Sequence, residues 1–493
     1  MVYRGKPALG CAWCRKRRLA CDRKTPCSQC VRADKQCGGY HDPNTLRIYD
    51  QTKEVAVKAQ GRSVVVRGSK STTANTPMPF KFVYEPISID ERATSHIFTY
   101  YVGKIGGRGL LSFLPELLST DQSGTLQAAV KAIGLSSMSR IHNLPDLRRL
   151  ASEEYSTALM SLNKALQSPI TAKSDSTLGT VAMLSMYEIV ACHDMMSGRG
   201  FDIMDRWLNH VEGGMRLLEL RGVDQLNTTA GVELFTTVRL QTAISGVFFR
   251  HNGYNTPSIA AISQVARTRR DAVTQPIEDF YNTLIQFNDL AGEVNDDCSN
   301  FTVENLGSYI GRALRLDADL RSWAMSLGPG WSFTTVTEPN FNSSDDTQFP
   351  MNGGNYHIYN NVNLASMWNH YRQTRIVLHE MIRVLALYLS ELRDSSECQQ
   401  TILESAAISN QMVNDLCSSV RYHFMSDEAR FGGAVRLLWP LFLAAGVRGL
   451  NPEIKEWIIK ILSLISKAMG IQQAAVMSQL LREGRLTNLI PGT

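Results

Sequence analysis

Six cysteines crowd into residues 11–37: Cys11, Cys14, Cys21, Cys27, Cys30 and Cys37. They form two similar halves, each a Cys-x2-Cys pair followed, after six more residues, by a third cysteine. Two thiolates in a Cys-x2-Cys turn can close on one metal ion, and the third can return after a short helix. A closed structural zinc site takes four ligands. Two such sites require eight ligand contacts, and six thiolates supply eight only if two of them bridge both metals. A disulfide framework competes for the same residues, but it suits a small secreted domain. This chain has 493 residues and no apolar leader at its start. His41 falls outside the spacing, which argues against a mixed Cys/His zinc module. A metal-storage tail would not require the basic residues that lie between the cysteines.

Those basic residues point to nucleic acid. Arg15, Lys16, Arg17 and Arg18 fill most of the gap between Cys14 and Cys21, and Arg23, Lys24, Arg32 and Lys35 follow. A metal-locked helix carrying four consecutive cations suits the major groove of DNA. The run Cys14-Arg-Lys-Arg-Arg-Leu-Ala-Cys21-Asp22, then Pro26-Cys27 and Cys37-Gly-Gly-Tyr40, resembles the fungal zinc binuclear cluster domain. The resemblance implies two zinc ions sharing the six cysteines, with Cys11 and Cys27 bridging. Cys14 and Cys21 would complete one site, Cys30 and Cys37 the other. It also implies double-stranded DNA with CGG-like sites as the partner. Arg17 and Arg18 would read bases, with Arg15, Lys16, Arg23 and Lys24 in the same DNA-binding set. Relatives usually carry Lys before the third cysteine, where this chain has Ala20. Lys16 to Arg18 also fit part of a nuclear import signal, so the nucleus is the expected compartment.

The charge distribution agrees. Residues 1–82 hold 17 Lys/Arg and 5 Asp/Glu, a formal +12; the whole chain is +5, so residues 83–493 total −7. A basic head on an ordinary body is the electrostatic pattern of a nucleic-acid-binding protein. The longest apolar run, Leu437 to Val447, is 11 residues and contains Pro440. A membrane span needs about 20, so no membrane partner is expected. The other cysteines, Cys192, Cys298, Cys398 and Cys417, read as reduced thiols of an intracellular protein.

These features predict a small zinc-stapled N-terminal domain over 1–42, with two short helices around a two-zinc cluster. A flexible linker over 43–85 and a large all-α regulatory domain over 86–493 follow. The linker is rich in Ser, Thr, Lys and Val, with a short helix conceivable over Asp50 to Gln60 and an isolated strand-like Val64-Val65-Val66. It shows no sustained Leu/Ile heptad, so the sequence leaves a homodimer open without showing a coiled coil to form it. In the body, Ile89, Ala93, Ile97 and Tyr101 recur at helical spacing behind Ser88. Tyr155 to Leu166 forms a second amphipathic helix. Ser174-Asp-Ser-Thr177 supplies N-cap chemistry for a third, and Arg221-Gly222 a C-cap. A long helix is expected from about Val362 to Leu392, and Asn451-Pro452 should open another. The Gly-, Asn- and Pro-rich residues 326–356 read as a loop. Asp175 to Leu178, Trp207-x2-His210-x2-Gly213, Tyr371-Arg-x2-Arg375-Ile376 and Trp439-Pro-Leu-Phe442, in that order, resemble the helical regulatory domain that follows the zinc cluster in many fungal transcription factors.

Few constellations suggest catalysis. Cys192-His193-Asp194 places its groups on different faces of a helix, so they cannot act as a triad. His210 reads as a packed or capping histidine. Gly106-Gly107-Arg108-Gly109 lacks the Lys-Ser/Thr of a phosphate loop. Glu293, Asp296 and Asp297 with Phe287, Leu290 and Phe301 read as a solvated acidic loop or a recruiting patch for transcription machinery or co-regulators, and Arg267, Arg269 and Arg270 as surface charges. The expected function is a sequence-specific transcription regulator, not an enzyme, controlling one pathway such as a secondary-metabolite gene cluster. The alternative is a helical ligand sensor or scaffold whose zinc module makes protein contacts.

Overall fold

The computed structural model describes residues 10–40, 87–102, 111–191, 202–249, 256–269, 275–338, 353–393, 396–425 and 430–484. The chain divides into two units, Met1–Tyr84 and Glu85–Thr493. The expectations for the linker 43–85, for Gly106–Gly109 and for Cys192-His193-Asp194 lie outside the described residues.

Among its described residues the first unit has two short helices, α1 (Ala12–Arg17) and α2 (Ser28–Arg32). Its interior is sulfur: Cys11, Cys14, Cys27 and Cys30 are fully buried, with Trp13, Cys21, Cys37 and Tyr40 packed against them. No aliphatic side chain takes part among the described residues. A fold this small cannot gather an apolar core of its own and needs a staple.

The second unit is helical, and its ends follow the local chemistry. Ser88 and Glu91 form a reciprocal capping box that starts α3 (Ile89–Ile97), which continues through a π-helical turn over Phe98–Val102. Helices α4 (Leu114–Thr120), α5 (Thr125–Ile141), α6 (Pro145–Leu166) and α7 (Pro169–Ala172) follow. Ser174 Oγ accepts from the Thr177 amide at 3.2 Å, where α8 (Asp175–Ala191) begins. Nearly every residue of α8 is buried, because α5, α6, α9 (Asp202–Arg221) and α10 (Thr229–Phe249) all pack on it. Gly222 ends α9 at φ +65°, as the Arg221-Gly222 pair predicts. Helices α11 (Pro257–Arg269), α12 (Gln275–Asp296) and α13 (Val303–Ser326) lead to the longest helix, α14 (Val362–Leu392), capped by Asn361. It packs along α15 (Ser396–Met425), and α16 (Leu438–Ala444), α17 (Pro452–Met469) and α18 (Gln472–Arg482) close the unit.

Two sequence expectations need correction. Residues 326–356 are not all loop: β1 (Phe333–Thr337) pairs antiparallel with β2 (Asn355–Tyr359), Phe333 facing Tyr359. The β-branched run Thr334-Thr335-Val336-Thr337 carries the strand propensity that the Gly and Asn count obscured. The acidic-apolar patch is mostly helix rather than loop, although Glu293 and Asp296 are solvent-exposed on it as expected. Phe287 and Leu290 are buried on α12, and Glu293 is held by Arg312, with one contact at 2.7 Å. The carboxylate of Asp297 accepts from Tyr309 Oη. Arg267 pairs with Asp279 at 2.9 Å, and Arg269 bonds the Leu226 carbonyl, so both hold the surface together; Arg270 lies outside the described residues.

Candidate metal centre and nucleic-acid interface

Each Cys-x2-Cys turn folds the same way. The Cys14 amide donates to Cys11 Sγ at 3.5 Å, and the Cys30 amide to Cys27 Sγ at 3.4 Å. The Leu19 amide returns to the Cys14 carbonyl at 3.0 Å, and the Lys35 amide to that of Cys30 at 3.0 Å. Between them, Arg18 (φ +57°) and Asp34 (φ +49°) both take the left-handed conformation that ends each helix. All these pairs are 16 positions apart (11 and 27, 14 and 30, 18 and 34), so the two halves are one turn–helix–turn written twice.

The two copies meet at their sulfurs. Cys11 Sγ lies 3.7 Å from Cys27 Sγ and 3.6 Å from Cys30 Sγ, and Cys14 Sγ lies 3.7 Å from Cys27 Sγ. These separations are far beyond a disulfide bond of about 2 Å. They match the spacing of roughly 3.8 Å between two thiolates at 2.3 Å from one tetrahedral zinc. All four ligand atoms lie within 4.8 Å of one another, and Cys21, Asp22 and Cys27 form an overlapping group. Cys14 interacts with Cys11, Cys27 and Cys21, and Cys30 with Cys27, Cys11 and Cys37. Cys11 and Cys27 thus stand in the middle, each near both outer pairs.

The electrostatics favour a cation at this centre. Burial pushes the Cys14 thiol up to about 12, and it raises Cys27 and Cys30 as well. Such sulfurs become thiolates only against positive charge. Cys21, at the rim, is lowered to about 6 by backbone hydrogen bonds from Cys11 and Arg23, and Cys37 is lowered by those from Cys27 and Gly39. The donor set therefore fits the zinc that the resemblance implies.

Three residues outside the sequence-derived site complete it. Asp22 accepts from the Ser28 amide at 3.2 Å and binds its hydroxyl, fixing the entrance to α2. Tyr40 Oη donates to the Lys24 carbonyl at 2.5 Å and lies 3.8 Å from Cys21 Sγ, tying the end of the head to the loop between its halves. Trp13 packs on the cysteines. Asp22 and Tyr40 were visible as motif letters, but their spacing alone assigns them no partner.

The basic residues occupy the outside. Lys16 and Arg17 are exposed on α1; Arg15 is on the same helix, with a side chain outside those described. Arg18 is exposed one position beyond the helix, so the helix carries three of the four expected cations. Arg23 and Lys24 are exposed on the loop between the halves. In the body, His210 Nε2 lies 3.1 Å from Tyr155 Oη, and burial lowers its pKa to about 4: a packed histidine. Among the described residues no helix is long and apolar enough to cross a membrane.

Comparisons with known proteins assign this geometry. The fungal Zn(2)-Cys(6) binuclear cluster domain matches residues 9–47. The fungal specific transcription factor domain matches residues 108–483, about three quarters of the chain. Transcription factor dbaG of Emericella nidulans is 25% identical over 143 residues, which cover 26% of this chain and 32% of that relative, so the match spans about a third of the relative's length. No solved structure matches. The chain therefore belongs to the family defined by the fungal specific transcription factor domain, and its head carries a fungal Zn(2)-Cys(6) binuclear cluster domain.

Proposed function

We propose that the head binds two zinc ions through Cys11, Cys14, Cys21, Cys27, Cys30 and Cys37, with Cys11 and Cys27 bridging, and reads CGG-type half-sites in double-stranded DNA. The observation that supports this best is the central position of Cys11 and Cys27, each beside both outer sulfur pairs. Zinc supplies the folding free energy that a head without an apolar core lacks, on the order of 10 kcal/mol per structural site. Arg17 and Arg18 contact bases. Arg15, Lys16, Arg23 and Lys24 contact phosphates, which strengthens every sequence alike. The domains run 1–42 for the head, 43–85 for a linker and 86–493 for the regulatory body, which acts in the nucleus through transcription machinery or co-regulators on one pathway. A homodimer would place two heads on paired half-sites.

The test is a titration of the full chain against a duplex bearing a CGG triplet and a scrambled duplex, with and without a zinc chelator, at several salt concentrations. The expected result is a preference for CGG that chelation abolishes. Equal affinity for both duplexes, or binding that survives loss of zinc, overturns the proposal.

A further inference from the structure

Among the described cations of the head, Arg17 is the one set against a ring. Its guanidinium carbon lies 5.7 Å from the centroid of the Trp13 indole. The two residues are four apart on α1 and so share a face. A guanidinium at this distance from an indole is attracted by the ring quadrupole, and the contact limits the rotamers of a long, otherwise free side chain. Trp13 itself does not swing freely: it is half-buried and packed on the cysteine cluster. Among the described residues no carboxylate pairs with Arg17.

The second half of the head is an internal control. Sixteen positions on, the same backbone carries Gln29 where the first half has Trp13, and Ala33 where it has Arg17. The ring–guanidinium pair is therefore no requirement of the turn–helix–turn or of its sulfurs. It occurs in the half whose helix bears three cations, Arg15, Lys16 and Arg17, and not in the half whose helix bears one, Arg32.

We infer that Trp13 is a positioning residue for sequence recognition: its indole, anchored on the cysteine cluster, holds the Arg17 guanidinium in place for a guanine edge. This rests on the assignment of Arg17 as a base-reading residue. An arginine offers guanine two parallel donors only when its plane is correctly turned. Fixing that plane before binding reduces the ordering cost of the contact. The indole does not read the base; it decides how well Arg17 does.

The experiment is a double-mutant cycle on the full chain. The ratio of affinities for the CGG and scrambled duplexes is measured for Trp13→Ala, Trp13→Phe, Trp13→Leu, Arg17→Ala and the double Trp13→Ala/Arg17→Ala, with zinc content measured for each. In Trp13→Ala the ratio should fall about two- to fivefold, the size of an exposed cation–π contact. Trp13→Phe should restore most of it, and in the Arg17→Ala background Trp13→Ala should cost nothing further. Trp13→Leu keeps apolar packing on the cysteines without a ring face; a zinc-loaded Leu variant with full discrimination overturns the inference. So does a Trp13→Ala effect that persists undiminished in the Arg17→Ala background. A ratio unmoved by Arg17→Ala overturns instead the base-reading assignment on which the inference stands.

Discussion

The two halves of the head run over the same backbone with different side chains. Both fold a Cys-x2-Cys turn through an amide–sulfur bond, both run a single short helix, and both end it on a left-handed residue. What differs is the outer face. The first half carries Arg15, Lys16, Arg17 and Arg18, and the equivalent positions of the second carry Val31, Arg32, Ala33 and Asp34. The sulfur geometry repeats because each Cys-x2-Cys turn closes through the same amide–sulfur bond. The surface need not repeat: the second half presents the carboxylate of Asp34 at the position where the first presents the guanidinium of Arg18, and a carboxylate repels phosphate. Scaffold and surface charge are therefore separable in this unit: the backbone is duplicated, and the run of four cations lies in one copy.

The largest effect that would break this comparison concerns the sulfurs. Native mass spectrometry of single Cys→Ala variants should show Cys11→Ala and Cys27→Ala losing both zincs, and Cys14→Ala and Cys30→Ala losing one, so that equivalent positions behave as pairs. Loss of one zinc from every variant would contradict shared ligands, and unequal behaviour of Cys11 and Cys27 would contradict equivalent halves.

A charge exchange comes next. Arg18→Asp should lower affinity for CGG by roughly ten- to hundredfold, combining a lost base contact with a repelled phosphate. Asp34→Arg should raise affinity for every duplex alike, adding at most about one to the salt slope. A CGG preference that increased in Asp34→Arg would mean that the second half also reads bases. Lys16→Ala and Arg23→Ala should weaken both duplexes equally.

The smallest effect sharpens the backbone side of the comparison. Arg18 and Asp34 hold positive φ at a cost that Gly does not bear. Arg18→Gly and Asp34→Gly should each raise the thermal midpoint of the zinc-loaded chain slightly, and only Arg18→Gly should reduce DNA binding. A loss of zinc from either variant would show that the side chain, not the turn, matters there.

The head was legible in the sequence because cysteine spacing encodes metal geometry directly. The helix over Val362–Leu392 was legible for another reason: its apolar seam and the Asn361 cap agree. What that seam concealed is the polar interior on the same helix. Arg372 is buried among Phe333, Tyr359 and Trp368 and donates to Tyr359 Oη at 2.8 Å. Arg375 grips Asp317 at 2.6 and 3.1 Å, and His379 lies 3.1 Å from the same carboxylate. Burial works against ionising Asp317, yet these partners hold it at about 2. Charged letters in a helix read as solvent-facing, and only the fold reveals which partner lies across the interface. The β1–β2 hairpin was missed because its strands are five residues each and joined through a long Gly/Asn-rich stretch.

Those buried polar groups give the body an acid limit. Burial, with Arg436 nearby, lowers His423 to about 3 and His370 to about 4; burial beside Arg372 lowers His357 to about 3. His96 sits at about 4 for reasons of burial and the neighbouring His142. In the unfolded chain each takes a proton from about pH 6.5 downward, whereas the fold refuses it until pH 3–4. The unfolded state then binds more protons, so stability is intact above pH 6.5 and lost as the pH falls toward 4, at up to about 1.4 kcal/mol per unit for each fully buried ring. Thermal midpoints at pH 7 and pH 5 should diverge by many degrees, and His423→Gln should narrow the gap. Remaining folded therefore requires surroundings near neutral pH.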